Sequence, residues 1–447
     1  MALVTDIKLR NQVMYSIYVR NHTNEGTFNS IVGDLDRIKA LGTDIIWFMP
    51  IHPIGVEKKK GSLGCPYAIS NYRDVNPCYG TMDDFKRLVD EIHKRGMKCI
   101  IDVVYNHTSP DSVLVQHNPE YFYRDKDGNF GNMAGDWGDV IDLDYSNKDL
   151  WRYQIDTLKL WAEIVDGFRC DVASKIPVEF WIQARQQVAE VKSDCLWLAE
   201  TIHPGFVRYL RTLNLTGHSD SEMYQAFDVN YDYDVREDFE NYLENKELLS
   251  IYTKMLNLQD CIYPKNYVKL RYLENHDTKR IASYVHNAVS LENYTAFAYF
   301  QKGLTLIYAG QEFVNENTPS LFEYDKVDYS TGKDISVLMK RLYDIKKDDL
   351  FATGAYNLVA HDELDTIVGT YKKDEELLAG VFSFKGKTGN VDISGTGIED
   401  GKYKNYEIVF CLFTAYHSPA GKNPVQTVFS VAKPLQIGYN DTLLKHT

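Results

Sequence analysis

No apolar run in the 447-residue chain is long enough to cross a bilayer, and the first ten residues carry charges where an export leader would have a core of roughly 7 to 15 apolar residues. The expectation is a chain that works in the cytoplasm and is not anchored to a membrane. Positive charge is also scarce: 49 Lys and Arg face 63 Asp and Glu, a formal charge of -14 that repels nucleic-acid phosphates and anionic lipid surfaces. Paired cysteine spacings are missing as well. Cys65, Cys78, Cys99, Cys170, Cys195, Cys261 and Cys411 are scattered without metal-ligand histidines beside them, so reduced thiols fit better than a disulfide framework. There is no Gly-rich dinucleotide loop, no solenoid repeat, no low-complexity linker and no long run of like charge.

What is present can build a large core, since 44% of the residues are hydrophobic and 25% charged. Aromatic residues make up 13%, with 32 Tyr; flat amphipathic rings suit sugar faces, although most aromatics in any protein pack inside. Short apolar, β-rich runs at 13–20, 44–50, 98–105, 167–172, 195–200, 225–230, 268–274 and 304–309 alternate with amphipathic stretches. Thr81 with Asp84 opens one helix, which stops at Gly96, and Ser146-Asn147-Lys148-Asp149 opens another. Eight strands with helices between them predict an α/β fold, a (β/α)8 TIM barrel over residues 1–349. A long polar and aromatic insertion at 108–145 is read as a short loop domain that shapes a cleft. From residue 350 to 447 the pattern turns to short alternating segments, among them 366–371, 377–384 and 406–413, which predict a C-terminal β-sandwich.

In such barrels the polar residues that end the strands line one cavity. Strand three ends Asp102-Val103-Val104-Tyr105-Asn106-His107, strand four reads Gly167-Phe168-Arg169-Cys170-Asp171, strand five ends Leu198-Ala199-Glu200, and strand seven ends Glu274-Asn275-His276-Asp277. Barrel geometry therefore gathers Asp171, Glu200 and Asp277. Cleaving a glycosidic bond needs one carboxylate to attack the anomeric carbon and a second carboxyl to protonate the leaving oxygen. Arg169, two residues before Asp171, points to the same face and can hold that carboxylate ionised. A lone Asp at a strand end is more often a helix cap, and a lone His more often a satisfied structural residue. Four such segments in order outweigh that reading.

Those four segments resemble the motif regions of the α-amylase family of retaining glycoside hydrolases, over about residues 13–348. The resemblance implies Asp171 as nucleophile, Glu200 as general acid/base and Asp277 as a third carboxylate that binds sugar hydroxyls. It implies that Asp102, His107, Arg169 and His276 orient the glucosyl unit, and that Tyr67 stacks against it. Trp137 of the insertion is expected to add substrate contact, Tyr72 and Asn106 to support the site, and Trp47 to be core. Many relatives of this type hold a structural calcium, for which Asn106 and Asp142 would be the matching ligands. Lys175 stands where the pattern has a His after the nucleophile, and its ammonium would compete with a cation and has the reach to replace it, so no cofactor is expected to be required, with a structural calcium as the less favoured alternative. The expected activity is hydrolysis of α-1,4 bonds in maltooligosaccharides or starch-derived glucans. A glucan transferase or α-1,6-glucosidase with the same carboxylates is the alternative, and an inactive sugar-binding homologue a remote one. The oligomeric state stays open.

Overall fold

The computed structural model describes residues 5–135, 137–387, 389–391, 396, 403–405, 411–416 and 429–430. Eight parallel strands close into a barrel: β1 (Val13–Ile17), β2 (Ile45–Phe48), β3 (Lys98–Val103), β4 (Gly167–Cys170), β5 (Leu196–Ala199), β6 (Val229–Tyr231), β7 (Val268–Arg271) and β8 (Leu304–Tyr308). Each pairs with its neighbours in sequence, and β1 pairs with β8 to complete the ring. Seven of the eight lie inside the expected runs. The sixth is shifted. Of the stretch 225–230, Ala226 and Phe227 are buried, but they belong to the turn after the short helix Asp220–Met223, and the strand begins only at Val229. The run at 13–20 is also cut short, because Val19–His22 forms a helical turn.

Helix signals act where they stand in the sequence. Thr81 and Asp84 form a reciprocal capping box for Met82–Lys94, which turns its Phe85, Leu88, Val89 and Ile92 face inward, and Asn147 caps Lys148–Ala162. Gly167 at the start of β4 is required by close approach, since a Cβ there would lie 2.3 Å from the Leu196 carbonyl oxygen of β5. The inserted segment after β3 carries a two-stranded antiparallel ribbon, His107–Thr108 with Ile141–Asp142, which folds the insertion back over the barrel mouth.

The C-terminal part is antiparallel β-structure. A five-stranded sheet runs in the order Ala355–His361, Thr366–Lys373, Glu376–Ser383, Cys411–Tyr416, Tyr403–Asn405, and Asn390–Val391 pairs with Phe429–Ser430. The first of these strands carries no clean alternation and was not anticipated. Part of the expected run 406–413 lies outside the described residues. Tyr371 of this sheet donates to the Phe300 carbonyl oxygen, and the rings of Phe300, Phe351 and Phe382 pack together, joining sheet and barrel helices in one core. Among the described residues no helix is long and apolar enough to cross a membrane.

Candidate active site

The register of β3 against β4 sets Asp102 opposite Arg169, and the period of two along β4 points Arg169 and Asp171 to the same interior face. One fully buried guanidinium thereby meets three carboxylates. Arg169 Nη1 donates to Asp102 Oδ1 and Oδ2 at 2.8 and 3.0 Å and to Asp171 Oδ1 at 2.8 Å, while Nη2 lies 3.1 Å from Glu200 Oε2. Its Nε donates to the Tyr231 hydroxyl at 3.2 Å. The guanidinium carbon sits 5.3 Å from the ring centres of both Trp47 and Tyr231. Trp47 is core, as expected, but its ring also forms the floor of the site, edge-on to His276 at 5.8 Å.

Tyr67 reaches the cluster from the loop after β2. Its hydroxyl donates to Asp102 Oδ2 at 3.2 Å and lies 2.7 Å from His276 Nε2, and its ring is stacked on the His276 imidazole with centroids 5.5 Å apart. His276 Nε2 is 3.1 Å from Asp277 Oδ2, which also accepts from the Tyr233 hydroxyl at 3.4 Å. The side chains of Asp171 and Glu200 are only 10% and 9% exposed, whereas that of Asp277 is 40% exposed and opens onto the cleft. His107 stands beside the Tyr67 backbone, its Nδ1 3.1 Å from Asn106 Nδ2. Tyr72 lies beneath, its hydroxyl 2.7 Å from the carbonyl oxygens of Val104 and His107.

Burial dominates the electrostatics. It pushes the Asp102 carboxyl up to about 7 against the pull of Arg169, and it raises Asp171, with the Glu200 charge adding to the effect. Asp277 is raised too, because the cleft withdraws its carboxyl from part of the water although 40% of the side chain stays open. Asp102 and Asp171, both raised beside the same guanidinium, titrate as one pair that retains a proton toward neutral pH. Burial lowers both His107 and His276 to about 3, helped by Lys175 in the first case and Arg169 in the second. Both imidazoles are therefore neutral hydrogen-bonding groups.

Asp142, the second residue matched to a calcium site, is met by donors. Met133 N and Asn132 Nδ2 donate to it at 2.8 and 3.2 Å, Asn106 Nδ2 at 3.3 Å, and the Lys175 ammonium lies 3.9 Å away. Lys175 also reaches the Ala134 carbonyl oxygen at 3.4 Å and sits 4.1 Å from the Trp137 ring centre, whose other neighbour is His107 at 5.7 Å. A hard divalent cation wants six or more oxygen acceptors, and this set offers an ammonium and N–H groups, so it does not fit one. Among the described residues no group of three or more His, Cys, Asp or Glu is placed to hold a metal.

Sequence reasoning passed over Tyr231 and Tyr233, although their alternation at the end of a barrel strand was a readable signal. It also passed over His203, three residues beyond Glu200, whose exposed ring stacks on Tyr233 at 4.6 Å.

The profile "Alpha amylase, catalytic domain" matches residues 16–130 and 132–354, and "Bacterial Alpha amylase C-terminal domain" matches 357–406. The fold is similar to the crystal structure of an α-amylase from Lactobacillus plantarum, with TM-score 0.86 and 45% identity over 92% of this chain and 98% of that one. It is also similar to a maltogenic α-amylase, AmyB, from Thermotoga neapolitana, with TM-score 0.80 and 33% identity over 91% and 97% of the two chains. In sequence it is 27% identical to the α-amylase MalA of Haloarcula japonica over 75% of this chain, and the match spans 49% of that protein's length.

Proposed function

The chain belongs to the α-amylase family of glycoside hydrolases, and on that premise we propose that it hydrolyses α-1,4-glucosidic bonds of maltooligosaccharides and starch-derived glucans by double displacement with retention. The observation that carries this reading is the Arg169 guanidinium, which donates to Asp171 from Nη1 and brings Nη2 within 3.1 Å of Glu200 Oε2 as an ion pair. Two carboxyls held by one planar fork suit the roughly 5–5.5 Å spacing of retaining enzymes better than the roughly 6.5–9.5 Å spacing of inverting ones.

In the first step Asp171 attacks the anomeric carbon while the Glu200 carboxyl gives its proton to the glycosidic oxygen; the C–O bond breaks and the leaving sugar departs. In the second, Glu200 takes a proton from water, the water oxygen attacks the anomeric carbon, and Asp171 is released. Arg169 supports the charge on Asp171, Tyr67 offers its ring to the sugar face, and Asp277 with neutral His276 takes hydroxyls of the same glucosyl unit. His107 and Trp137 wall the cleft. The chain works without calcium in this reading, because Lys175 supplies the positive charge beside Asp142. A cytoplasmic setting is part of the proposal, supported by the free thiols of Cys65, Cys78, Cys99, Cys170, Cys195 and Cys261.

Proton NMR of maltotriose digestion tests the mechanism: α-anomeric product appears first if configuration is retained, and β-anomeric product overturns the reading. Parallel digestion of isomaltose decides the linkage, because faster release from isomaltose would replace the α-1,4 assignment by the α-1,6 one.

A further inference from the structure

A cavity of about 230 Å³ lies between the segments that follow β1, β2 and β8, and none of Asp171, Glu200 and Asp277 lines it. Sites for drug-sized molecules span roughly 300–1,000 Å³, so this one has room for a single sugar ring and not for a chain. Its lining is mixed. Pro53, Pro77 and Tyr324 present apolar surface, and Arg20, Asn76 and Tyr79 add polar groups.

Two features point to a ligand. Tyr324 is 63% exposed at the cavity, a flat ring of the kind that covers the apolar face of a sugar. Asn76 is 94% buried, yet only half of its amide is used: Oδ1 accepts from Cys78 N at 3.0 Å, and Nδ2 has no partner among the described residues. The amide N–H of a largely buried side chain that meets no protein acceptor and keeps access to the cavity is satisfied by whatever enters it. Arg20 fixes the walls, donating to the Gly64 and Leu321 carbonyl oxygens at 3.2 and 3.1 Å, and Leu63 N donates to the Phe322 carbonyl oxygen at 3.1 Å. The site is thus preformed, and one wall is the loop that carries Tyr67.

We propose that this cavity is a second sugar-binding site, which takes one terminal glucosyl ring of an α-glucan, with Tyr324 against the ring face and Asn76 Nδ2 donating to a ring hydroxyl. The choice of glucosyl rests on the activity proposed above; the preference for one pyranose ring does not. Positive net charge is absent, which favours a neutral ligand over an anion.

The test is calorimetric and NMR titration of the full chain with maltotriose, in a Glu200→Gln background that stops turnover. Two sites are expected. Tyr324→Ala should reduce the stoichiometry to one, and Asn76→Asp, which keeps the acceptor for Cys78 N, should weaken the second site about tenfold, the equivalent of one good hydrogen bond. In the active enzyme neither substitution should change kcat for an aryl maltoside. A single site in the Glu200→Gln background, or two sites left intact by both substitutions, overturns the proposal. Failure of the unsubstituted enzyme to cleave any α-glucoside would count against the proposed activity alone, since the stoichiometry is read without turnover.

Discussion

Val172 donates its backbone N–H to Glu200 Oε2 at 2.6 Å from a left-handed conformation, φ 36° and ψ 41°. A β-branched residue rarely adopts that region, and holding it there costs on the order of 1–3 kcal/mol. The strain sits directly after Asp171 and turns its neighbouring peptide onto Glu200, so the two carboxyls are linked by Arg169 on one side and by this N–H on the other. The Val172 side chain joins Ile202, Phe206 and Val207 in a small apolar cluster beside the cleft, which keeps the turn in place.

Asp171→Asn and Glu200→Gln should each lower kcat by roughly a thousandfold or more while maltooligosaccharide binding remains measurable by calorimetry, because the loss falls on the transition state. Near-normal turnover in either variant would remove that residue from its assigned role.

Arg169→Lys should abolish activity and destabilise the fold by roughly 3–5 kcal/mol, because an ammonium cannot span Asp102, Asp171 and Glu200 and leaves buried carboxylates without a partner. Denaturant unfolding measures the loss. A stability within error of the parent would mean that the cluster does not depend on the guanidinium.

Acid should weaken the fold in the window set by its buried histidines. His52, held at about 4, and His107 and His276, at about 3, stay neutral in the folded chain below the ordinary imidazole range, whereas in the unfolded chain they take up protons as pH falls through about 6.5. The unfolded state then binds more protons, so stability is lost progressively from about pH 6.5 downward. The fall in melting temperature between pH 7 and pH 4 should be smaller in His52→Gln than in the parent, since the variant lacks one such imidazole, and an equal fall would contradict a buried neutral His52.

Asp102 titrates in the opposite sense. Its folded value of about 7 exceeds the unfolded value of about 3.9, so its contribution is present at low pH and is lost as pH rises through 7. Asp102→Asn should therefore melt at or above the parent temperature at pH 8, with the difference closing toward pH 5, and should lose activity. A lower melting temperature at pH 8 would show that ionised Asp102 stabilises the fold.

Chelation should leave activity and melting temperature unchanged, while Lys175→Ala should lower the melting temperature by removing the charge beside buried Asp142. A fall on adding EDTA that calcium reverses would show that the site takes an ion despite Lys175.

The strand ends and the order of the four motif segments were legible in the chain itself. An apolar run that stops at Asp171 or Glu200 is a local pattern, and in a (β/α)8 barrel every strand delivers its end to one face, so fold class and the gathering of the carboxylates follow together. The sixth strand was misplaced because Ala226 and Phe227 are apolar for packing rather than for pairing, and local hydrophobicity does not separate the two. Only the folded chain decided which distant groups meet: Tyr67 with His276, Lys175 with Trp137, and Trp47 beneath Arg169. Those pairings depend on side chains brought together from separate loops. The elevated Asp102 and depressed imidazoles depend on how fully each is withdrawn from water, a property of the closed barrel that no segment carries alone.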